Sequence, residues 1–121
     1  MDKVLVVDDR ADIRDLMEAV LKIKGYKILK GESGGEAIEI AKKERPGLII
    51  MDIMMPGDIN GLEACSIIKE DPEIGDSKII MVSGKGRESD RQACFKAGAD
   101  DYFLKPFRPF ELLKKVEDLL E

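Results

Sequence analysis

The feature that most constrains this sequence is a strict alternation of short apolar runs with stretches of helical periodicity. Near-continuous apolar runs are typical of strands in a parallel sheet that is covered on both faces. Alternating strands and helices predict an α/β fold, a doubly wound five-stranded parallel sheet with right-handed crossovers and five helices. The predicted strands are Val4–Val7, Lys27–Leu29, Leu48–Met51, Ile79–Val82 and Tyr102–Leu104.

Local signals predict where several helices begin and end. Gly25 and Gly98 each follow a periodic stretch and predict the ends of the first and fourth helices. Ser33 followed by Glu36 predicts a capping box at the start of the second helix. Pro109 suits the first turn of the last helix, which it would begin without losing a backbone hydrogen bond.

Length and charge limit what kind of protein this is. The 121 residues predict one domain, residues 1–121, with no output domain attached. The net charge of −5 argues against nucleic acid or an anionic membrane surface as a direct partner. The chain from Met1 runs straight into a strand without a signal peptide, and no apolar run approaches ~20 residues, which predicts a cytoplasmic location. Cys65 and Cys94 match no metal motif and are interpreted as packing residues.

The polar residues that could carry chemistry all follow predicted strands. The chain has no histidine, so its chemistry depends on carboxylates, hydroxyls and amines. The carboxyl ends of parallel strands meet at one edge of the sheet, where α/β proteins bind ligands. Residues far apart in the sequence would therefore converge on one pocket, and these are Asp8, Asp9, Asp52, Ser83 and Lys105.

This set of side chains suits phosphoryl transfer to a carboxylate. Three carboxylates in one pocket repel one another, and a divalent cation held by oxygen ligands, Mg²⁺ above all, would relieve that repulsion. A carboxylate beside Mg²⁺ is a competent nucleophile for a phosphoryl group. The Lys105 ammonium, the Ser83 hydroxyl and the Gly84 amide would hold the phosphoryl oxygens.

Each residue also has a simpler explanation. Asp8 and Asp9 could cap the first helix, Ser83 could be a turn serine, and Lys105 could be a surface lysine. Their positions at equivalent strand ends favour a shared site.

Other function classes fit the motifs less well. A haloacid-dehalogenase-type phosphatase needs a second aspartate two residues after the nucleophile, where this chain has Met54. The glycine-rich segments 31–35 and 83–86 match neither dinucleotide-binding nor P-loop spacing. An interaction module of the same fold that works without phosphorylation stays open as an alternative.

The motifs together resemble those of bacterial response-regulator receiver domains, and single-domain chemotaxis regulators in particular, over essentially the whole chain. The resemblance implies a flavodoxin-like sheet of order 2-1-3-4-5 and a role in two-component phosphorelay signalling. It implies a switch that promotes its own phosphorylation and dephosphorylation, and not an enzyme. The matching segments are Val4–Asp9, Asp52–Pro56 with Gly61, Val82–Gly84, Gly98–Tyr102 and Lys105–Phe107.

The resemblance also implies roles for individual residues. Asp52 would be phosphorylated by a sensor histidine kinase or a phosphotransfer protein, beside Mg²⁺ bound by the Asp8, Asp9 and Asp52 carboxylates and the Met54 backbone carbonyl. Lys105 would contact the phosphoryl group and precede a cis peptide bond to Pro106. Ser83 and Tyr102 would act as switch residues, and the face formed by the fourth helix, the fifth strand and the fifth helix would bind an unknown downstream protein. A monomer or weak homodimer is expected.

Two features depart from the family pattern. Gly61 lies nine residues after Asp52 and not the usual eight, so the loop Pro56–Asn60 is one residue longer and should alter the rim of the site without moving the carboxylates. Met54 and Lys85 occupy the two positions that tune phosphate lifetime in the family. An apolar Met54 and a cationic Lys85 are expected to shield or hold the phosphate.

Overall fold

Strands and helices alternate along the chain as predicted, in a computed structural model that describes residues 2–121. The prediction for Met1 lies outside the described residues. The strands are β1 (Lys3–Val7), β2 (Lys27–Gly31), β3 (Leu48–Asp52), β4 (Lys78–Ser83) and β5 (Asp101–Leu104). The helices are α1 (Ala11–Lys22), α2 (Gly34–Glu44), α3 (Gly61–Glu70), α4 (Glu88–Lys96) and α5 (Pro109–Leu120).

The five strands form one parallel sheet in the order β2-β1-β3-β4-β5, which confirms the predicted topology. Val4 in β1 pairs with Ile28 of β2 on one side and with Leu48 of β3 on the other. The chain thus leaves β1 in one direction and returns to its other side to form β3. This reversal places the topological switch point, where α/β sheets bind ligands, between the carboxyl ends of β1 and β3.

Alternate residues of the central strands pack into two separate apolar cores. In β1, Leu5 and Val7 face a core closed by α2, α3 and α4. Val4 and Val6 face a second core closed by α1 and α5. Because both faces are covered, the sheet needs apolar residues at every central position, which explains the continuous apolar runs.

The start of α2 differs from the sequence prediction, and a capping box that was not predicted starts α3. The Ser33 side chain accepts a hydrogen bond from the Glu36 backbone N–H at 3.2 Å, but the Glu36 carboxylate accepts from the Glu32 N–H and not from Ser33. The predicted capping box at α2 is therefore wrong in its second half. A complete capping box instead starts α3, where Asn60 and Glu63 exchange bonds of 2.9 and 3.1 Å.

An ion-pair cluster ties elements together at the amino edge of the sheet. The Lys69 Nζ of α3 lies 2.9 Å from the Asp100 carboxylate and donates to the Ser77 carbonyl at 2.7 Å. The Asp100 carboxylate accepts from the Ile79 N–H at 2.8 Å. Gly98, which ends α4 with φ +102°, packs so closely on the Lys69 side chain that a Cβ would lie 2.9 Å from its Cγ. The cluster fixes α3, α4, β4 and β5 to one another.

The two cysteines are free and fully buried in the core beneath α2, α3 and α4. Burial raises the pKa of the Cys65 thiol to about 12 and that of Cys94 to about 11. These values keep both thiols protonated, as expected of packing residues. Within residues 2–121, no helix has the length and apolar character needed to cross a bilayer.

Candidate functional site

Three carboxylates converge at the predicted edge of the sheet. Asp8 and Asp9 directly follow β1, and Asp52 is the last residue of β3. One oxygen from each lies within 4.8 Å of the other two. Asp8 and Asp52 are buried, whereas Asp9 is exposed to solvent. Neither Asp8 nor Asp9 is the N-cap of α1, since Arg10 occupies that position, and the helix-capping alternative is therefore wrong.

Lys105, which directly follows the edge strand β5, extends its side chain into this cluster. Its Nζ atom lies 2.7 Å from Asp8 Oδ2 and 3.2 Å from Asp52 Oδ2. The side chain is only 17% exposed, so Lys105 is not a free surface lysine. Its backbone N–H donates to the Ser83 carbonyl at 2.7 Å. The peptide bond to Pro106 is cis, which confirms the prediction.

The charges in the cluster are unevenly balanced. Burial raises the pKa of the Asp52 carboxyl above its ordinary value, Lys105 opposes this shift, and the neighbouring Asp8 charge adds to it. Burial alone would lower the pKa of Lys105, but its hydrogen bond to Asp8 and the charges of both carboxylates outweigh that effect and raise it. Because the shorter contact of Lys105 is to Asp8, Asp52 is left with less compensating charge.

Ser83 and Tyr102 meet at one backbone carbonyl. The buried Ser83 hydroxyl accepts from the Lys85 N–H at 3.0 Å and donates to the Lys85 carbonyl at 3.3 Å, as a turn serine does. The half-buried Tyr102 donates its hydroxyl to the same carbonyl at 2.9 Å. Gly84 follows Ser83, and nothing lies within 4 Å of the position that a Cβ on it would take, so an approaching ligand meets no side chain there.

The lengthened loop rests on neighbouring elements and leaves the carboxylates together. The Gly61 N–H donates to the Ile53 carbonyl at 3.0 Å, and a Cβ on Gly61 would collide with the Asp52 carbonyl oxygen. Two residues before Gly61, the Ile59 carbonyl oxygen lies where a Cβ on Gly34 would collide with it. The loop therefore packs against the first residue of α2, and the acidic cluster forms as the sequence predicts.

Met54 and Lys85, the two positions expected to tune phosphate lifetime, are both exposed near the site. The Met54 side chain is 61% exposed although its neighbours Ile53 and Met55 are buried. Lys85 lies in the loop after β4. The expected effect of the two side chains on phosphate lifetime stays a prediction.

One residue near the site was not recognised from the sequence. Arg14 of α1 donates from Nη1 to the Asp8 backbone carbonyl at 2.6 Å. Its position offered one signal, since it precedes the buried Met17 by three residues and the buried Leu21 by seven. A cation on the buried stripe of a helix indicates a partner inside the fold.

The donor set of this cluster fits a hard divalent cation. Asp8, Asp9 and Asp52 provide only carboxylate oxygens, with no sulfur or imidazole nitrogen among the clustered groups. Such ligands suit ions that bind oxygen and keep part of their water shell. The open Asp9 side leaves room for that water. The cluster could therefore hold a metal ion.

Comparison with known proteins agrees with this geometry. The family model for the response regulator receiver domain matches residues 4–117. The transcriptional regulatory protein ResD of Bacillus subtilis (strain 168) is 43% identical over 118 residues, which are 98% of this chain and 48% of ResD. The chain spans about half the length of the curated relatives it matches.

Solved structures show the same fold. The chemotaxis response regulator CheY4 of Vibrio cholerae superimposes with a TM-score of 0.91 at 32% identity, covering 99% of each chain. A CheY-like response regulator receiver domain protein from Methanospirillum hungatei JF-1 also gives 0.91, at 30% identity, covering 99% of this chain and 94% of that one. The chain belongs to the response regulator receiver domain family of two-component signal transduction.

Proposed function

We propose that this chain is a phosphorylation-controlled switch in which Asp52 accepts a phosphoryl group from a sensor histidine kinase or a phosphotransfer protein. The observation that carries the proposal is the position of the Lys105 ammonium, 2.7 Å from Asp8 and 3.2 Å from Asp52 inside a cluster of three carboxylates. A cation and an acceptor carboxylate are thus held together before any donor arrives, which favours transfer by preorganisation.

The transfer step uses the Asp52 carboxylate as the nucleophile. One of its oxygens forms a bond to phosphorus while the bond from phosphorus to the donor imidazole nitrogen breaks. The nitrogen keeps the electron pair, and an acyl phosphate remains on Asp52. The raised pKa of Asp52 supports this role, because a carboxylate with less compensating charge is more basic and gains more from bonding to phosphorus.

Asp8, Asp9, Asp52 and the Met54 backbone carbonyl would hold Mg²⁺. When bound, Mg²⁺ supplies positive charge that allows three carboxylates to share one pocket and neutralises charge on the phosphoryl oxygens. The oxygen-only donor set supports this choice of ion. Lys105 would shift its contact from Asp8 towards the phosphoryl group.

Two further groups would hold the remaining phosphoryl oxygens. The Gly84 amide is reachable because nothing crowds that residue. The Ser83 hydroxyl would have to exchange its bonds to Lys85 for one to the phosphoryl group. A cleft of about 380 Å³ beside Lys105, lined in part by Arg10, Leu16 and Phe107, gives a donor access to this side of the site.

The readout of phosphorylation would pass through the Lys85 carbonyl to the α4-β5-α5 face. Since Ser83 and Tyr102 both donate to that carbonyl, a change in the Ser83 contact alters the surroundings of Tyr102. Phosphorylation would thereby bias two arrangements of this face, where a downstream protein would bind. The phosphoryl group ends on the chain itself, so the chain acts as a switch and not as an enzyme, although its residues promote both transfer and hydrolysis.

The test is phosphorylation by small donors. We expect wild type incubated with phosphoramidate or acetyl phosphate and Mg²⁺ to gain the mass of one phosphoryl group, and hydroxylamine to remove it. Asp52→Asn should gain nothing, whereas Asp58→Asn, at an exposed aspartate of the nearby loop, should behave as wild type. No gain by wild type, or an equal gain by Asp52→Asn, would refute the proposal and favour an interaction module that works without phosphorylation.

A further inference from the structure

The guanidinium of Arg14 lies beside the acidic cluster, where it binds the backbone of Asp8. The side chain is only 13% exposed, and its Nη1 donates to the Asp8 carbonyl at 2.6 Å. Its Nη2 lies 3.3 Å from the carboxylate of Glu32, which follows β2. Arg14 therefore links the turn after β1 to the turn after β2, and the planar fork of arginine suits two such contacts at once.

Every polar atom of Asp8 is held by a neighbour. Its N–H donates to the Gly31 carbonyl at 3.1 Å, and its Oδ1 accepts from the Arg10 N–H at 2.9 Å. Its Oδ2 contacts Lys105, and Arg14 supplies the contact to its carbonyl. The Asp8 carbonyl and the Asp9 N–H belong to one planar peptide unit. Arg14 thus fixes the plane from which the exposed Asp9 side chain projects.

We propose that Arg14 is a positioning residue, which orients the Asp8–Asp9 peptide so that both carboxylates converge with Asp52 on one cation. This inference rests on the proposed function, because it concerns the metal-binding half of that site. The Arg14 guanidinium contacts the Asp8 carbonyl and the Glu32 carboxylate, so it would contact neither the cation nor the phosphoryl group. It acts through the turn that carries two of the three carboxylates.

Orientation and electrostatics predict opposite results when Arg14 is neutralised. A cation near an acidic pocket repels Mg²⁺, so if Arg14 acted only through its charge, Arg14→Gln would strengthen Mg²⁺ binding. If Arg14 positions the turn, the same variant weakens binding in spite of the lost repulsion. Loss of an outer-shell partner typically lowers metal affinity by about tenfold to a hundredfold. The direction of the change therefore separates the two roles.

The experiment is a calorimetric titration with Mg²⁺ alone, without a phosphoryl donor. We expect Arg14→Gln to bind at least about tenfold more weakly than wild type. Arg14→Lys keeps the charge but cannot make both guanidinium contacts, so its Mg²⁺ affinity should lie between those of wild type and Arg14→Gln. Glu32→Gln should lose less Mg²⁺ affinity than Arg14→Gln. Arg45→Gln, at an exposed arginine beyond the end of α2 that pairs with Glu73, makes the same charge change elsewhere and should match wild type.

The outcomes separate this inference from the proposed function. If wild type binds no Mg²⁺ and gains no phosphoryl group, the proposed function fails. If wild type does both and Arg14→Gln binds Mg²⁺ as tightly or more tightly, only the positioning role fails. If circular dichroism shows that Arg14→Gln does not fold, Arg14→Lys and Glu32→Gln provide the test. Mg²⁺ affinity equal to that of wild type in both of these variants would overturn the inference.

Discussion

Lys105 reaches from the end of β5 across the ends of β4 and β3 to place its ammonium 2.7 Å from the Asp8 carboxylate. The two residues are 97 positions apart in the chain. Asp8 is fully buried, so its charge is poorly solvated and depends on this partner. The contact joins the first and last strands of the fold through one buried ion pair.

Removal of the Lys105 ammonium should lower the stability of the metal-free protein and raise its affinity for Mg²⁺. We expect Lys105→Met to lower the free energy of unfolding without metal by up to about 3 kcal/mol, because a buried carboxylate loses its partner. Mg²⁺ no longer competes with a lysine in the variant, so saturating Mg²⁺ should raise its melting temperature more than that of wild type. Thermal melts with EDTA and with Mg²⁺ measure both effects. Equal Mg²⁺ shifts in the two proteins would contradict the competition.

The raised pKa of Asp52 predicts a pH-dependent gain in stability when it is neutralised. The Asp52 carboxyl binds its proton more tightly in the folded state than in the unfolded chain, because its pKa is raised on folding. The stability of the fold therefore falls as the pH rises from the ordinary carboxyl pKa through the raised pKa of Asp52. In metal-free buffer at neutral pH, Asp52→Asn should therefore melt at a higher temperature than wild type. The gain should shrink as the pH falls towards the ordinary carboxyl range. A gain independent of pH would exclude titration of Asp52 as its cause.

Two adjacent glycines should respond in opposite directions to the same substitution. Gly34→Ala would drive a Cβ into the Ile59 carbonyl of the lengthened loop, and overpacking of this kind costs about 1–3 kcal/mol. A Cβ on Gly35 meets nothing within 4 Å, so Gly35→Ala should stabilise α2 by up to about 1 kcal/mol. Urea unfolding of both variants measures the difference. Similar effects would mean that the loop does not press on α2.

Met54 and Lys85 should control how long the acyl phosphate survives. Met54→Asn replaces an exposed apolar side chain with one that can hold the attacking water, and Lys85→Glu replaces an exposed cation of the loop after β4 with an anion. We expect both variants to lose phosphate several-fold faster than wild type, because water reaches the phosphorus more easily. The loss of phosphoprotein mass over time measures the rate. Lys78→Glu, at an exposed lysine on the opposite edge, is the control, and rates equal to wild type in both variants would refute the idea.

The sequence predicted the architecture because burial on both faces leaves a strong pattern. The runs at Leu48–Met51 and Ile79–Val82 are fully buried in the sheet, and such runs at helix-length intervals permit few other folds. The convergence of Asp8, Asp52 and Lys105 followed from the topology, since all three lie at the same ends of parallel strands.

The details that the sequence did not predict depend on backbone partners that have no side-chain pattern. Arg14 binds a carbonyl, and any residue at position 8 would offer one. The capping box at Asn60 depends on where the lengthened loop ends, which residue types alone did not define. The bond from Tyr102 to Lys85 likewise ends on a carbonyl in a different loop. These contacts require the three-dimensional path of the chain.

The Lys69 cluster at the amino edge gives α4 a pivot. The last turn of α4 is held at that edge, because Gly98 packs on Lys69 and the Asp100 carboxylate binds the start of β4. The first turn of α4, in contrast, follows the loop that contains Lys85. A helix that is held at one end and displaced at the other tilts about the end that is held. We therefore expect α4 to behave as a lever, in which a small displacement beside Ser83 tilts the helix about Gly98 without disturbing the far end of the sheet.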